Sequence, residues 1–159
     1  MAHIQATNGL IIEVDDEYYE YLNQFTWSIN GGYAQSGMGK GRKHTRMHRW
    51  IAEKEGLDTS DLIDHKDRNR LNNQASNLRP ATKSQNCANR SKRSDCSSDY
   101  KGVSYNRTTS KWVAQLSVNK KSVLCKRFAD EIEAAKAYDK AAFEHYGEFA
   151  TLNFPENYR

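Results

Sequence analysis

"LIDHKDRNRLNNQASNLRPATKSQNCANR", residues 62–90, sets one Asp-His pair, Asp64 and His65, among more neutral amides than a core would hold. "DLIDHK" reads as a short strand running out into "DRNRLNNQASN", a loop too polar to bury, and "NLRPAT" as a brief return strand. "TKSQNCANRSK" then reads as a helix, with Asn86 about one turn in and Asn89 further along nearly the same face. The local order is hairpin, loop, helix, with Asp64 and His65 on one side and Asn86 facing them.

Upstream, "GLIIEV" reads as a strand, and Asp15 stands where it can cap a short helix through "DEYYEYLNQ". "TWSINGGYAQS" reads as a hairpin, with Asn30-Gly31 supplying the positive φ angles of a two-residue turn. "GMGKGRK" lacks the GxxxxGK[ST] spacing of a phosphate-binding loop and reads as a flexible basic connection. "RMHRWIAEKEG" reads as a helix that stops at Gly56.

At 159 residues the chain can form one compact domain or two small ones. No apolar run is long enough for a membrane span, and "MAHIQATNGL" has no signal pattern, so an intracellular location is expected. Cys87, Cys96 and Cys125 form no CxxC pair, so neither a zinc knuckle nor a disulfide framework is implied. Charge is unevenly spread: residues 41–95 carry thirteen basic and seven acidic side chains, and Lys101 to Arg127 seven basic and no acidic ones. Such runs can be plain solvated faces. Two of them between acidic segments favour a polyanion, because each phosphate that Lys or Arg neutralises releases condensed counterions.

"CANRSKRSDCSSD", residues 87–99, has almost nothing to bury, and at least its second half reads as a linker. Beyond it, "GVSYNR", "KWVAQLSV" and "KSVLCKRF" read as three short strands and "ADEIEAAKAYDKAAFEHYG" as a helix, capped by Asp130 and Glu133 and stopped at Gly147. Alternation sends Val103, Tyr105, Trp112, Ala114, Leu116, Val123 and Cys125 toward that alanine-rich helix. The other face then carries Ser104, Asn106, Lys111, Val113, Gln115, Ser117, Ser122, Leu124 and Lys126, polar, basic and without acids. This is the face expected to meet nucleic acid, with Gln115 or Asn106 able to read adenine through a bidentate pair.

In the opening stretch, an Asp carboxylate and an Asn amide oxygen are hard donors that suit a partly hydrated Mg2+ or Mn2+ better than zinc. An adjacent neutral histidine is a natural general base for activating water near pH 7. Together, in a basic protein, they point to phosphodiester hydrolysis, although an Asp-His with scattered Asn also suits an ordinary turn-rich loop.

"DHKDRNRLNNQASNLRPATKSQNCAN" resembles the HNH motif of phage and intron-encoded homing endonucleases, and the resemblance continues through "MHRWIAE" and "VDDEYYEYLNQFTWSINGGYA", over roughly residues 8–90. It implies a ββα-metal (His-Me finger) fold, with its core at about residues 60–92 and one Mg2+ or Mn2+ between hairpin and helix. It also implies His65 as general base, Asn77 as the asparagine whose side-chain hydrogen bonds hold the loop so that His65 points correctly, Asp64 as the first metal ligand and Asn86 as the second, with Asn89 as the weaker candidate. Asn73 matches the pattern as loop structure. His48 and Arg49 fall on an upstream HR dipeptide, where Arg49 is either a phosphate contact or a structural arginine. No structural zinc is implied.

"DYKGVSYNRTTSKWVAQL" with "RFADEIEAAKAYDKAAFEHYGEFATLNFP" resembles the Apetala-two, or ethylene-response-factor, DNA-binding domain over residues 99–155. That resemblance implies a three-stranded antiparallel sheet in the major groove. Ser104, Asn106, Ser117, Ser122 and Leu124 replace arginine or tryptophan of plant members, so the plant recognition sequence does not carry over.

The expectation is therefore an α+β chain, with an endonuclease module at 1–90, a basic linker at 91–98 and a DNA-binding domain at 99–159. Its expected DNA contacts are Arg49, Ser104, Asn106, Arg107, Lys111, Gln115, Ser117, Lys121 and Lys126. The expected partner is double-stranded DNA, with no membrane and no small-molecule substrate, for a monomer or weak dimer in a bacterium or phage-infected host. The activity read is site-specific, metal-dependent DNA cleavage of a phage or mobile-element homing type, nicking or double-strand; the alternative is a non-catalytic DNA-binding regulator with a decayed HNH module.

Overall fold

The structure, a computed structural model, describes residues 1–37, 44–92 and 96–158. Most of the glycine-rich connection, 38–43, and residues 93–95 of the expected linker lie outside the described residues. The chain divides into two compact units, Met1–Thr82 and Lys83–Arg159.

In the first unit, β1 (Ala2–Gln5) pairs antiparallel with β2 (Ile11–Val14), followed by α1 (Asp16–Leu22). β1 was not expected, because a four-residue strand with one fully apolar inward position carries almost no alternation. β3 (Ser28–Asn30), β4 (Tyr33–Ser36) and β5 (Thr45–Arg46) form a second antiparallel sheet that leads into α2 (Met47–Lys54). β6 (Leu62–His65) and β7 (Leu78–Ala81) form the hairpin read from the opening stretch. Ile4, Ile12, Val14, Leu22, Trp27, Met47 and Ile51 make the core, and Ile63 and Leu78 fix the hairpin to it. The Trp27 indole N–H donates to the Leu22 carbonyl at 2.8 Å, so its one polar atom is satisfied inside.

Two local expectations shift. Asn30 pairs with Tyr33 as the last residue of β3, and the positive φ angles fall on Gly31 (58°) and Gly32 (83°), one residue later than read. Glycine takes both positions without a Cβ penalty, which leaves asparagine free to stay in the ladder. Asp15 stands at the N-cap of α1, but its side chain makes no cap bond there. Its carboxylate accepts instead from the Ala75 amide at 2.7 Å and from Gln74 Nε2 at 3.4 Å, far along the chain.

The second unit holds α3 (Lys83–Ala88), β8 (Val103–Asn106), β9 (Lys111–Val118), β10 (Lys121–Phe128) and α4 (Glu131–Tyr146). The three strands form one antiparallel sheet in the order β10-β9-β8. Asp130 caps α4 by accepting from the Glu133 amide at 2.9 Å, and Gly147 ends it with φ of 51°. Ala134, Ala135 and Ala142 let the helix lie close to Val103, Ala114 and Leu124, with the Tyr138 ring filling the remaining space. Asp139, fully buried on α4, accepts from the amides of Asn153 and Phe154 and from Asn153 Nδ2, tying the carboxy-terminal segment to the helix.

The face assignment of β10 is corrected. Ser122 pairs with Ser117, but Leu124 pairs with Leu116, so Val123 is an extra residue in a β-bulge. Beyond it the alternation inverts: Leu124 is buried against the helix, and Cys125 and Arg127 join the open face opposite Gln115 and Val113. Lys126, read onto the open face, pairs with Ala114 and lies on the helix side, as does Lys121 opposite Val118.

Candidate active site and nucleic-acid face

The asparagines of the opening stretch are organised around a carboxylate that the sequence reading passed over, Asp67. Its Oδ1 accepts from the Asn69 amide at 2.8 Å and from Asn77 Nδ2 at 2.9 Å, and its Oδ2 from Asn72 Nδ2 at 2.8 Å. Asn77 Oδ1 accepts from the Asp67 amide at 3.0 Å, and Asn77 Nδ2 also donates to the Asn72 carbonyl at 2.9 Å. These contacts pin both ends of the loop, within which Arg68 takes the left-handed backbone conformation, with φ of 69°. The loop is also stitched to β2: the Glu13 amide donates to Leu71 O and the Asn73 amide to Glu13 O, both at 2.8 Å.

That stitching carries Asn73, fully buried, beneath His65. Asn73 Nδ2 donates to Leu71 O at 3.2 Å, and its buried Oδ1, which has no hydrogen-bond partner among the described residues, is the polar group beside the His65 imidazole, whereas the Asn77 side chain is spent on Asp67 and Asn72. Asn77 therefore fixes the loop, and Asn73 meets the ring. His65 is 4% exposed, and burial pushes its pKa below the ordinary histidine value, against the pull of Asn73, Asp67 and Asp64. It is neutral near pH 7, the form that can take a proton. The His48 ring lies 5.1 Å from that of His65, and burial, with His65 and two arginines nearby, pushes the His48 pKa down to about 3.

Asp64, on the strand beside His65, is buried and paired across the hairpin with Arg79, whose Nε and Nη2 both lie 3.1 Å from Oδ2. The arginine was missed, although the antiparallel register of "LIDH" on "LRPA" puts it opposite Asp64. Asn86, on α3 of the second unit, is half-buried; Asn89 is 6% exposed and its carbonyl accepts from Thr151 Oγ1 at 2.9 Å. The donors proposed for a metal are hard oxygens. Among the described residues no group of three or more His, Cys, Asp or Glu is gathered to hold an ion. Arg49 braces a loop, with Nη2 donating to Thr59 O at 2.6 Å and Nη1 to Asp61 O at 3.3 Å.

On the open face of the second unit, Ser104, Asn106, Val113, Gln115, Cys125 and Arg127 line a shallow depression, with Lys111 and Ser117 in register beside them. Asn106 Oδ1 accepts from the Thr109 amide at 3.1 Å, which engages it in the turn. Gln115 Nε2 makes a long contact to Cys125 Sγ, 4.0 Å. Arg107 is exposed in the same turn. Arg127 shares that face and was not read onto it, because the bulge after Ser122 inverts the alternation.

The hairpin that bears Asp64 and His65 and the polar, basic sheet face fall in two regions of the chain that resemble known families. Residues 45–88 match the HNH endonuclease family and residues 98–148 the AP2 domain. An uncharacterized HNH endonuclease of Acanthamoeba polyphaga mimivirus is 35% identical over 150 residues, covering 91% of this chain and 75% of that protein. The chain belongs to the HNH endonuclease family and carries an AP2 domain. No solved structure matches it. Among the described residues no helix is long and apolar enough to cross a membrane.

Proposed function

We propose that this protein is a site-specific, metal-dependent endonuclease of double-stranded DNA, in which the open sheet face finds the target and the His65 site cuts. The observation that carries the reading is His65, held neutral by burial, next to Asp64 and backed by Asn73 on a loop locked by Asp67 and Asn77. His65 takes a proton from water; the water oxygen bonds to phosphorus and the bond to the 3′ oxygen breaks. Asp64 and Asn86 would hold one Mg2+ or Mn2+, whose charge, when bound, favours the developing negative charge on phosphate and leaving oxygen. Asn86 is favoured over Asn89 by its greater exposure. Arg79 orients Asp64 and shares its charge, which makes for a weak, exchangeable ion site.

We assign residues 1–90 to cutting, keeping α3 with this module because it bears Asn86, residues 91–98 to the connection and 99–159 to DNA binding. Ser104, Asn106, Arg107, Lys111, Gln115, Ser117 and Arg127 are the proposed DNA contacts, with Lys121 and Lys126 at the edge. One such site in a monomer favours nicking, and a homing role follows if the chain is encoded within a mobile element. Duplex DNA incubated with Mg2+ or Mn2+, with EDTA as control, and resolved on native and denaturing gels tests the reading. His65→Ala should slow cleavage by about 10^2- to 10^4-fold with binding retained. Undiminished cleavage by that variant overturns it.

A further inference from the structure

Tyr33, at the start of β4, lies beside both imidazoles, its ring 5.1 Å from His48 and 6.0 Å from His65. Two guanidinium groups pack against the same ring, Arg46 at 4.9 Å and Arg70 at 4.5 Å from its centroid. They come from different parts of the chain, Arg46 from the end of β5 and Arg70 from the loop that follows His65. Arg70 is anchored further: its Nη1 donates to the Gly31 carbonyl at 2.6 Å. Gly32 leaves it room, since a Cβ there would sit 3.3 Å from Arg70 Cδ and Nη1. Both charges are felt at the site, Arg70 disfavouring the His65 cation and Arg46 the His48 cation.

Among the described residues neither arginine forms an ion pair with a carboxylate. An aromatic face attracts each cation but leaves their mutual repulsion in place. Two planar, multidentate cations, braced and without a counter-anion beside a general base, match an anion that arrives with the substrate.

We propose that Arg46 and Arg70, seated on Tyr33, clamp the scissile phosphate of the DNA strand presented to His65. The inference rests on the nuclease reading and adds to it the substrate group that the first unit holds by its own side chains.

The test measures single-turnover cleavage of duplex DNA with Mg2+ and the salt dependence of binding, for the full chain and for Arg46→Ala, Arg70→Ala, Arg70→Lys and His65→Ala. Each alanine variant should cut about 10- to 100-fold more slowly at saturating DNA, the loss of one charge-assisted contact. Each should also reduce the slope of log affinity against log salt by about 1, as one lost phosphate contact does. Arg70→Lys should keep the slope and lose the rate, because an ammonium cannot reproduce the guanidinium fork. If an alanine variant melts early, Arg70→Lys is read in its place, and a wild-type rate there overturns the clamp. Slower cleavage by the alanine variants with an unchanged salt slope means bracing without binding and overturns it too. Wild-type rates and slopes in both alanine variants, with His65→Ala inactive, sink the clamp and leave the nuclease reading standing. Undiminished cleavage by His65→Ala sinks the nuclease reading, and the binding slopes still decide whether the arginines hold phosphate.

Discussion

Gly102→Ala should loosen the second unit while leaving the first intact. Gly102 has φ of 74°, where an alanine costs about 1–2 kcal/mol relative to glycine. Its new Cβ would lie 2.0, 2.1 and 2.7 Å from Cδ2, Cε2 and Cγ of Tyr138. Ordinary carbon contacts are about 3.5–4.0 Å, so the ring would have to retreat by roughly 1.5 Å. Tyr138 is 5% exposed and packed among Val103, Ala114 and Leu124, and overfilling such a core costs about 1–3 kcal/mol. The Gly102 carbonyl accepts from the Gln115 amide at 2.8 Å, which keeps the backbone from swinging aside. The sum, about 2–5 kcal/mol, is a large share of the roughly 5–15 kcal/mol of a typical domain. Hydrogen exchange on the full chain reads the two units separately. Protection at the Gln115 amide should fall at least about 30-fold, and that of the Trp27 indole N–H should hold. In a Tyr138→Ala background only the backbone cost should remain. Unchanged protection at Gln115, or an equal penalty in both backgrounds, would refute the reasoning.

Three further outcomes follow from the same geometry. Unfolded His48 takes up a proton near pH 6.5, while the folded protein refuses it until about pH 3, so stability is lost as pH falls through that window. His48→Phe should flatten the decline by up to about 1.4 kcal/mol per pH unit in urea titrations, and an unchanged slope would disprove the burial effect. Arg79→Met strands the buried Asp64 charge and should cost about 3–5 kcal/mol; added Mg2+ should raise the melting temperature of the variant more than that of the wild type. Because the bulge turns Arg127 outward and Lys126 to the helix side, Arg127→Ala should weaken DNA binding and reduce its salt slope by about 1, with Lys126→Ala doing less. Equal losses in a filter-binding assay would contradict the register.

Elements written in nearest-neighbour chemistry were legible in the sequence: the β6–β7 hairpin, α2 ending at Gly56, and α4 between Asp130 and Gly147. Asp64 and His65 were legible as a pair for the same reason. Features decided by distant partners were not. The carboxylate of Asp15 looks like a cap, yet its partners Gln74 and Ala75 lie 59 and 60 residues away. Asn77 was read as the residue that holds the loop, but the burial of Asn73 follows from the stitching of its amide to Glu13, 60 residues away, of which the local sequence gives no sign. The inverted half of β10 escaped because alternation counts residues and a bulge adds one silently.

That silent residue has an evolutionary consequence. Loss of the single codon for Val123 would leave Leu124 opposite Leu116 and Arg127 opposite Val113, because the bulge residue stands outside the pairing, whereas loss of a codon between Leu124 and Phe128 would turn the side chains beyond it to the other face. The strand can therefore drift in its open-face side chains by point mutation, and the bulge is the place where its length can change by one residue without turning its neighbours over. Among relatives, a spacing from Ser122 to Leu124 that varies by one residue, with an unvaried spacing from Leu124 to Phe128, would be the imprint of that freedom.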